Sequence, residues 1–397
     1  MVDPTTYDAP PLLVFADDWG RHPSSCQHLI RHLPGRRDVL WVNTIGTRPP
    51  RLDLVTASRA LEKVREWVRP APGPAGGPCH RGPRVLSPRM WPWFRSTFDR
   101  GLNRRLLVRQ LAPLLERLPS PPVAVTTIPI VADLVGDLPV ARWVYYCVDD
   151  FSEWPGLDGG PLRRLEGELI RKADAIVAVS EQLRDRIAAM GRDAHVLTHG
   201  IDLDHWAAVE GSTASPEVVG LPRPLVVFWG VIDRRMDASF LERLARDLSE
   251  GTILLVGPEQ APDPLIRRLP RVRRLPPLPY EQLPGLACEA SVLVMPYADL
   301  PVTRAIQPLK LKEYLAAGRP VVVSDLPATR PWADTLDLAG SPGEFSAAVR
   351  LRIATGLPEA QRQARARLSR EGWAAKARRF DRWLLGQGEP ADVTVPA

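Results

Sequence analysis

Short aliphatic runs, apolar at nearly every position, alternate along this chain with longer segments of helical periodicity. The alternation then starts a second time past the midpoint. No other feature constrains the fold as strongly, because a run apolar at every position must be covered on both faces. The runs are Leu12–Ala16, Val39–Asn43, Val123–Thr127, Trp143–Val148 and Ala175–Val179, with helical stretches such as Leu102–Leu118 and Pro161–Lys172 between them. After a polar segment with Pro and Gly, Glu210–Pro224, the series resumes with Leu225–Trp229, Thr252–Val256, Ser291–Met295 and Pro320–Val323. Such βα alternation predicts an α/β protein of two Rossmann-like, doubly wound domains facing a cleft. A chain of 397 residues is comfortable for two domains. The expected division is 1–208 for an N-terminal domain and 209–385 for a C-terminal one, with the last helix free to cross back to the first. Residues 386–397 read as a disordered tail, and Pro70–Pro83 as a surface loop.

Composition narrows the classes. Hydrophobic residues at 45% and charged residues at 25% are the balance of a soluble globular protein. No stretch approaches the roughly 18 apolar residues that span a bilayer, and Met1-Val2-Asp3-Pro4 opens no signal peptide. The four cysteines (Cys26, Cys79, Cys147, Cys288) form no C-x-x-C pair, so free thiols and a cytoplasmic location are expected. The net charge of +6 suits phosphate-bearing ligands or an anionic membrane. Nucleic acid is not expected as a partner, since the chain has no zinc-finger spacing, RNP-like motif or basic tail. A dinucleotide oxidoreductase is disfavoured because no G-x-G-x-x-G follows a strand.

Chemistry is concentrated in Gln307-Pro-Leu-Lys-Leu-Lys-Glu-Tyr-Leu-Ala-Ala-Gly-Arg-Pro-Val-Val-Val-Ser-Asp325. Pro308 starts a helix, Gly318 ends it, and a buried strand runs on to Asp325. Lys310 then lies in the first turn, where the dipole is positive and a bound anion would offset its charge. Glu313, about a turn deeper, can accept two hydroxyl donors such as a ribose cis-diol. The alternative is an exposed i,i+3 pair of little consequence.

This segment resembles the donor-site helix of the bacterial GT-B glycosyltransferases called group 1 or family 4. Three further segments are similar to that family in order and spacing. They are Ala173–Ser180 with Leu183, then His199-Gly-Ile-Asp202 before the linker, then Val227–Asp237 with its Phe-Trp-Gly and two arginines. The first loop, Asp17-Asp-Trp-Gly-Arg-His-Pro-Ser-Ser-Cys-Gln-His28, and Tyr145–Pro155 resemble a subgroup that builds surface polysaccharides. The resemblance implies GT-B architecture and transfer of a sugar from a nucleotide-diphosphate sugar to a sugar, lipid-linked or small-molecule hydroxyl acceptor. It implies no cofactor beyond the donor itself.

On that resemblance, the leaving diphosphate is met by Arg234 or Arg235 with Lys310, helped by amides around Leu309 and Gly230. The base and ribose lie against Leu278-Pro-Tyr280-Glu281, with Glu313 on the ribose. Asp149 and Asp150, at the carboxyl end of a strand, are candidate acceptor-side bases, with Asp150 favoured and Asp17 and Asp18 next. Adjacent acids also commonly just cap a helix. Trp19, His22 and His28 are candidate acceptor-binding residues. One departure matters: where many family 4 enzymes pair two glutamates with seven residues between them, Ala305 stands in the position that would pair with Glu313, so the stereochemical course stays open. Asp202-Leu-Asp204 reads as a chance Asp-x-Asp, and no metal is expected. Two further readings stand: a sugar-nucleotide epimerase of the same fold, and a non-catalytic sugar-nucleotide-binding subunit.

The helix Leu102–Leu118 carries Arg104, Arg105, Arg109 and Arg117 beside leucines, with Arg100 before it and Trp91, Trp93 and Phe94 nearby. It reads either as a core-packing helix with a solvated basic face or as peripheral contact with an anionic membrane. Pro113 should kink it or end it early.

Overall fold

The computed structural model describes residues 9–20, 24–35, 37–44, 82–154, 157–207, 212–213 and 216–388. The chain divides into two compact units, Met1–Leu197 with Ala377–Ala397, and Thr198–Lys376. This division falls ahead of the boundary drawn from the polar linker. The reason lies in His199–Asp202, where Ile201 bridges Gly372 and exchanges backbone hydrogen bonds with Glu371 and Trp373. The expected tail past Gly388 lies outside the described residues, as does most of the Pro70–Pro83 loop.

The first unit is a seven-stranded parallel sheet of β1 (Leu12–Ala16), β2 (Val39–Asn43), β3 (Arg84–Leu86), β4 (Val123–Thr126), β5 (Arg142–Cys147), β6 (Ala175–Ala178) and β7 (His195–Val196). Their spatial order is β3-β2-β1-β4-β5-β6-β7. Every residue of β1 and β4 is buried, which is why those runs show no polar alternation. The order reverses between β1 and β4, the position where a doubly wound sheet opens a crevice at its carboxyl ends.

Helix α1 (Ser25–Arg31) starts at Ser24, whose hydroxyl accepts from the Gln27 amide. Helix α2 (Thr97–Leu115) begins ahead of the expected Leu102. Ser96 Oγ accepts from the Asp99 amide at 3.1 Å and Asp99 Oδ2 from the Ser96 amide at 2.9 Å, a reciprocal cap that leucine periodicity does not reveal. Pro113 lies two residues before the last helical residue, Leu115, and the helix ends ahead of the expected Leu118, in keeping with a proline that cannot donate to the carbonyl four residues back. Helices α3 (Gly159–Lys172) and α4 (Glu181–Ala188) cover the later strands.

The second unit repeats the plan with β8 (Leu225–Trp229), β10 (Thr252–Val256), β12 (Val272–Leu275), β13 (Val292–Met295), β14 (Val321–Ser324) and β15 (Asp337–Ala339). Their order, β12-β10-β8-β13-β14-β15, is again all parallel and reverses between β8 and β13. A small pair, β9 (Ile232–Asp233) with β11 (Glu259–Gln260), extends beyond it. The helices that matter below are α5 (Leu203–Ala207), α6 (Ala238–Asp247), α7 (Leu309–Ala316), α8 (Pro342–Thr355) and α9 (Trp373–Leu384). For α7, Pro308 takes the capping position and Gly318 the left-handed turn after the end, at φ +70°. Among the described residues, no helix is long and apolar enough to cross a membrane.

Candidate functional site

In the second unit the chemistry-bearing side chains gather at the strand-order reversal. Strand β8 ends at Trp229 and is followed by Gly230; β13 ends at Met295 and is followed, two residues on, by Tyr297. Lys310, in the first turn of α7, reaches into this place. Its ammonium donates to the Tyr297 hydroxyl at 2.7 Å and lies 4.8 Å from the Phe228 ring centre. Gly230 has φ +137°, and a Cβ there would fall 2.1 Å from Lys310 Nζ, so a larger residue would strain the backbone and push the lysine aside. Gly257, after β10, closes the other side: its Cβ would fall 2.0 Å from the Gly230 carbonyl. A lysine, two glycine-lined turns and the free amides at the start of α7, Leu309 among them, thus border one spot.

One turn deeper, Glu313 is buried with its Oε2 accepting from Trp229 Nε1 at 3.3 Å. Burial pushes its carboxyl up to about 7, against the lowering effects of the indole donor and of Lys310. The exposed Lys–Glu pair therefore does not occur: Lys310 turns to Tyr297, and Glu313 is inside. Around it stand aromatic rings. Tyr314 packs edge-on to Trp229 at 4.2 Å and its hydroxyl accepts from the Trp229 amide at 2.9 Å. Trp206 of α5 stacks on Trp229 at 5.7 Å. Tyr280, half-buried, stacks on His205 at 4.0 Å with 14° between the rings. Burial raises the Tyr280 phenol, with the Glu313 charge adding to it.

The two arginines separate. Arg235 is buried and bound to Asp233 through Nε at 3.0 Å and Nη2 at 2.8 Å, with its guanidinium 5.9 Å from the Tyr297 ring. Arg234 is exposed. Asp202 and Asp204 do not converge on a cation site: Asp202 Oδ1 accepts from the His205 amide at 3.1 Å and starts α5, while Asp204 is exposed. Among the described residues, no three His, Cys, Asp or Glu side chains come together as a metal would require.

In the first unit, Asp150 is buried beyond β5. Its Oδ1 accepts from the Ser152 amide at 3.0 Å and hydroxyl at 2.6 Å, and Oδ2 lies 3.5 Å from Arg186 Nε. Arg186 also binds Glu166 at 2.6 Å, and Glu166 accepts from the Tyr145 hydroxyl at 2.7 Å. Asp149 is half-buried, as is Asp18 beyond β1. Trp19 lies edge-on to Trp41 at 4.7 Å with Arg31 4.8 Å from its ring centre. His28 is not in the loop where the sequence reading put it: it is a buried residue of α1, since Ser24 starts the helix early enough to include it. His22 lies outside the described residues.

Sequence reasoning missed His205, Trp206, Trp229 and Tyr297 around the donor helix, and Arg186 and Glu166 around Asp150. Trp229 stood inside the quoted Phe-Trp-Gly run, and His205-Trp206 three residues beyond His199-Gly-Ile-Asp202. For the others the linear sequence carried no signal, because each is brought in by a separate strand or helix.

Residues 223–352 match the family described as "Glycosyl transferases group 1". A putative teichuronic acid biosynthesis glycosyltransferase of Bacillus subtilis (strain 168), TuaH, is 28% identical over 176 residues. The match takes in 42% of this chain and 44% of that protein, so the chain spans less than half the length of this relative. Among solved structures, Anabaena Alr3699/HepE in complex with UDP and glucose is similar at TM-score 0.64 and 14% identity, covering 95% of this chain and 100% of that one. Sucrose-phosphate synthase (tll1590) from Thermosynechococcus elongatus is similar at TM-score 0.66 and 15% identity, covering 95% and 99%. At these identities the likeness is one of fold.

Proposed function

We propose that this chain, whose residues 223–352 match the group 1 glycosyltransferases, moves a sugar from a nucleoside-diphosphate sugar onto a hydroxyl acceptor. The acceptor is a sugar, lipid-linked or small-molecule alcohol, and the setting is the building of surface polysaccharide or glycoconjugate, as the name of the Bacillus subtilis relative suggests. The observation that carries the reading is the meeting of Lys310, Gly230 and Glu313 at the strand-order reversal of the second unit.

Each residue has a definite task in it. The diphosphate lies against Gly230 and the first turn of α7. There the Leu309 and Lys310 amides, the Lys310 ammonium and the exposed Arg234 balance the charge that grows on the leaving group. Arg235, held by Asp233, keeps the Tyr297 corner in place rather than gripping phosphate directly. The ribose hydroxyls donate to Glu313, which has one indole donor and a second oxygen to offer. The base lies by Tyr280, whose ring stacked on His205 forms a flat wall. Charge balance in this scheme comes from side chains and amides, so no metal is assigned to the step. The acceptor proton goes to a carboxylate at the strand ends of the first unit: Asp150 is the first choice, with Asp149 and Asp18 as the acids with more solvent-facing surface.

Thermal unfolding with a panel of UDP-, GDP- and dTDP-sugars tests the reading. A cognate donor at about 100 times its Kd stabilises the fold by about 2.7 kcal/mol and raises the melting midpoint by several degrees. Lys310→Met should abolish that rise. A midpoint unmoved by every donor would sink the proposal.

A further inference from the structure

Helix α2 presents two unlike faces. Its inner face carries the buried Asn103, Leu107, Leu111 and Leu115. Two of its arginines are consumed within the unit: Arg100 binds Asp133 at 2.6 Å and Glu168 at 2.9 Å, and Arg104 binds Asp137 at 2.7 Å. Both are therefore paired within the unit, Arg100 partly buried and Arg104 still solvent-exposed.

The outer face is different. Phe98, Leu102, Arg105 and Arg109 recur at the spacing that places residues on one side of a helix. Phe98 is 71% exposed, the most exposed large hydrophobic side chain among the described residues. Arg105 and Arg109 are exposed, and neither belongs to an ion pair among the described residues. Beside this face runs the segment Ser87–Phe94, fixed to α2 at successive turns. Gln110 bonds the Arg89 amide and carbonyl at 2.8 and 2.9 Å. Asn103, buried, accepts from the Trp91 amide at 2.7 Å and donates to the Trp91 and Trp93 carbonyls at 3.1 and 2.9 Å. The Trp91 indole donates to Asp99 at 2.9 Å, and Trp93 packs on Trp91 at 4.9 Å while remaining 38% exposed.

An exposed tryptophan on a loop would ordinarily be free to fold back onto the surface. Here a buried asparagine and a helix-capping aspartate hold its backbone and its neighbour, so Trp93 is kept facing solvent. Two outward aromatic rings, with two exposed guanidinium groups outside any ion pair among the described residues, match a bilayer surface of anionic lipid. The arginines meet headgroup phosphates, and the rings enter the interfacial layer, where an aromatic body with a polar edge is at home.

We infer that the outer face of α2, with Trp93, Phe98, Arg105 and Arg109, docks on an anionic lipid bilayer. The contact is electrostatic with aromatic anchors, so it weakens as salt screens the arginines. It is independent of the sugar-transfer reading, because every residue in it belongs to the first unit and none to the donor site.

Co-sedimentation with vesicles tests it, using the full chain and lipid of two kinds: phosphatidylcholine alone, and equal parts phosphatidylglycerol and phosphatidylcholine. The wild type should sediment with the anionic vesicles at low salt, be released at high salt, and stay in solution with the neutral ones. The R105Q/R109Q double variant should partition roughly 25-fold less, about five-fold for each arginine, and Phe98→Ser should weaken binding further. All four side chains are outward, so melting midpoints should match the wild type and show that the variants fold. Wild-type protein left in the supernatant with anionic vesicles, or variants that sediment as the wild type does, would overturn the inference. Nucleotide titration on the same preparations keeps the two readings apart. Vesicle binding without nucleotide binding leaves this inference standing and removes the donor site, and the reverse result does the opposite.

Discussion

Glu313 and Asp150 are both buried acids, and their surroundings set them to different work. Glu313 has one indole donor and a carboxyl pushed by burial to about 7; Asp150 is held by Ser152 and faces Arg186. The sign of the Glu313 effect follows from linkage. Between its ordinary value of 4.5 and about 7, the unfolded chain releases a proton that the folded chain keeps. Stability of the free protein therefore falls as pH rises through that window, by about 3 kcal/mol in all. Ribose hydroxyls donating to the carboxylate favour its ionised form, so nucleotide binding should release a proton near neutrality. Affinity should then tighten by roughly tenfold from about pH 6 to 8, and Glu313→Gln should flatten the profile. Titration calorimetry in buffers of differing ionisation enthalpy measures both, and a wild-type Kd that ignores pH would contradict the ribose assignment. For Asp150 the test is turnover: Asp150→Asn should lower kcat by about 10²–10⁴ while leaving nucleotide affinity alone. Undiminished turnover would move the base to Asp149 or Asp18. Residue types were readable in the sequence at this scale, but their environments were not. The Lys310–Glu313 spacing is equally that of a surface pair, and only the fold sends one side chain to Tyr297 and the other inward.

At the scale of elements, α7 does more than carry Lys310 and Glu313. Lys312 on its other side is buried and bound to Glu371, to the His199 carbonyl and, at 3.3 Å, to the Thr198 hydroxyl. Lys376 joins the same carboxylate at 2.7 Å and the same hydroxyl at 3.0 Å. Burial, with Lys376 alongside, brings the Lys312 ammonium down to about 8. One carboxylate thus holds two buried lysines and fixes α7 to the segments that enter and leave the second unit. Glu371→Gln should strand both charges and cost about 3 kcal/mol, read as a lowered melting midpoint. A variant that melts with the wild type would show the ion pairs to be dispensable. A steric prediction concerns the same place: Gly230→Ala should remove donor binding, because its Cβ would displace Lys310 and the backbone lies at φ +137°. Circular dichroism should show the variant folded, and retained binding would contradict the close approach. Helix starts were less legible than helix cores. The leucine pattern of α2 marked its middle, whereas its beginning depends on the Ser96–Asp99 exchange.

For the whole molecule, the fold was the most legible part. Nine flat apolar runs each became a strand, most within a residue or two of their expected ends, because burial on both faces leaves no room for polar alternation. Strand order was not written in the runs themselves. Both sheets share the same reversal, after the first strand of each. That reversal is what turns a lysine, a glycine and a glutamate, scattered from 230 to 313, into one site. What stayed hidden was whatever depends on partners from separate elements: the aromatic wall of His205 and Tyr280, and the Arg186 contact with Asp150. The central claim is therefore that a nucleoside diphosphate binds at the reversal point of the second unit with its ribose on Glu313. Isothermal titration of UDP, GDP and dTDP into wild type and Glu313→Ala tests it most directly. The account predicts that one of the three binds with a Kd on the order of micromolar and that Glu313→Ala loses it. Binding of none of them, or equal binding to the alanine variant, would contradict it.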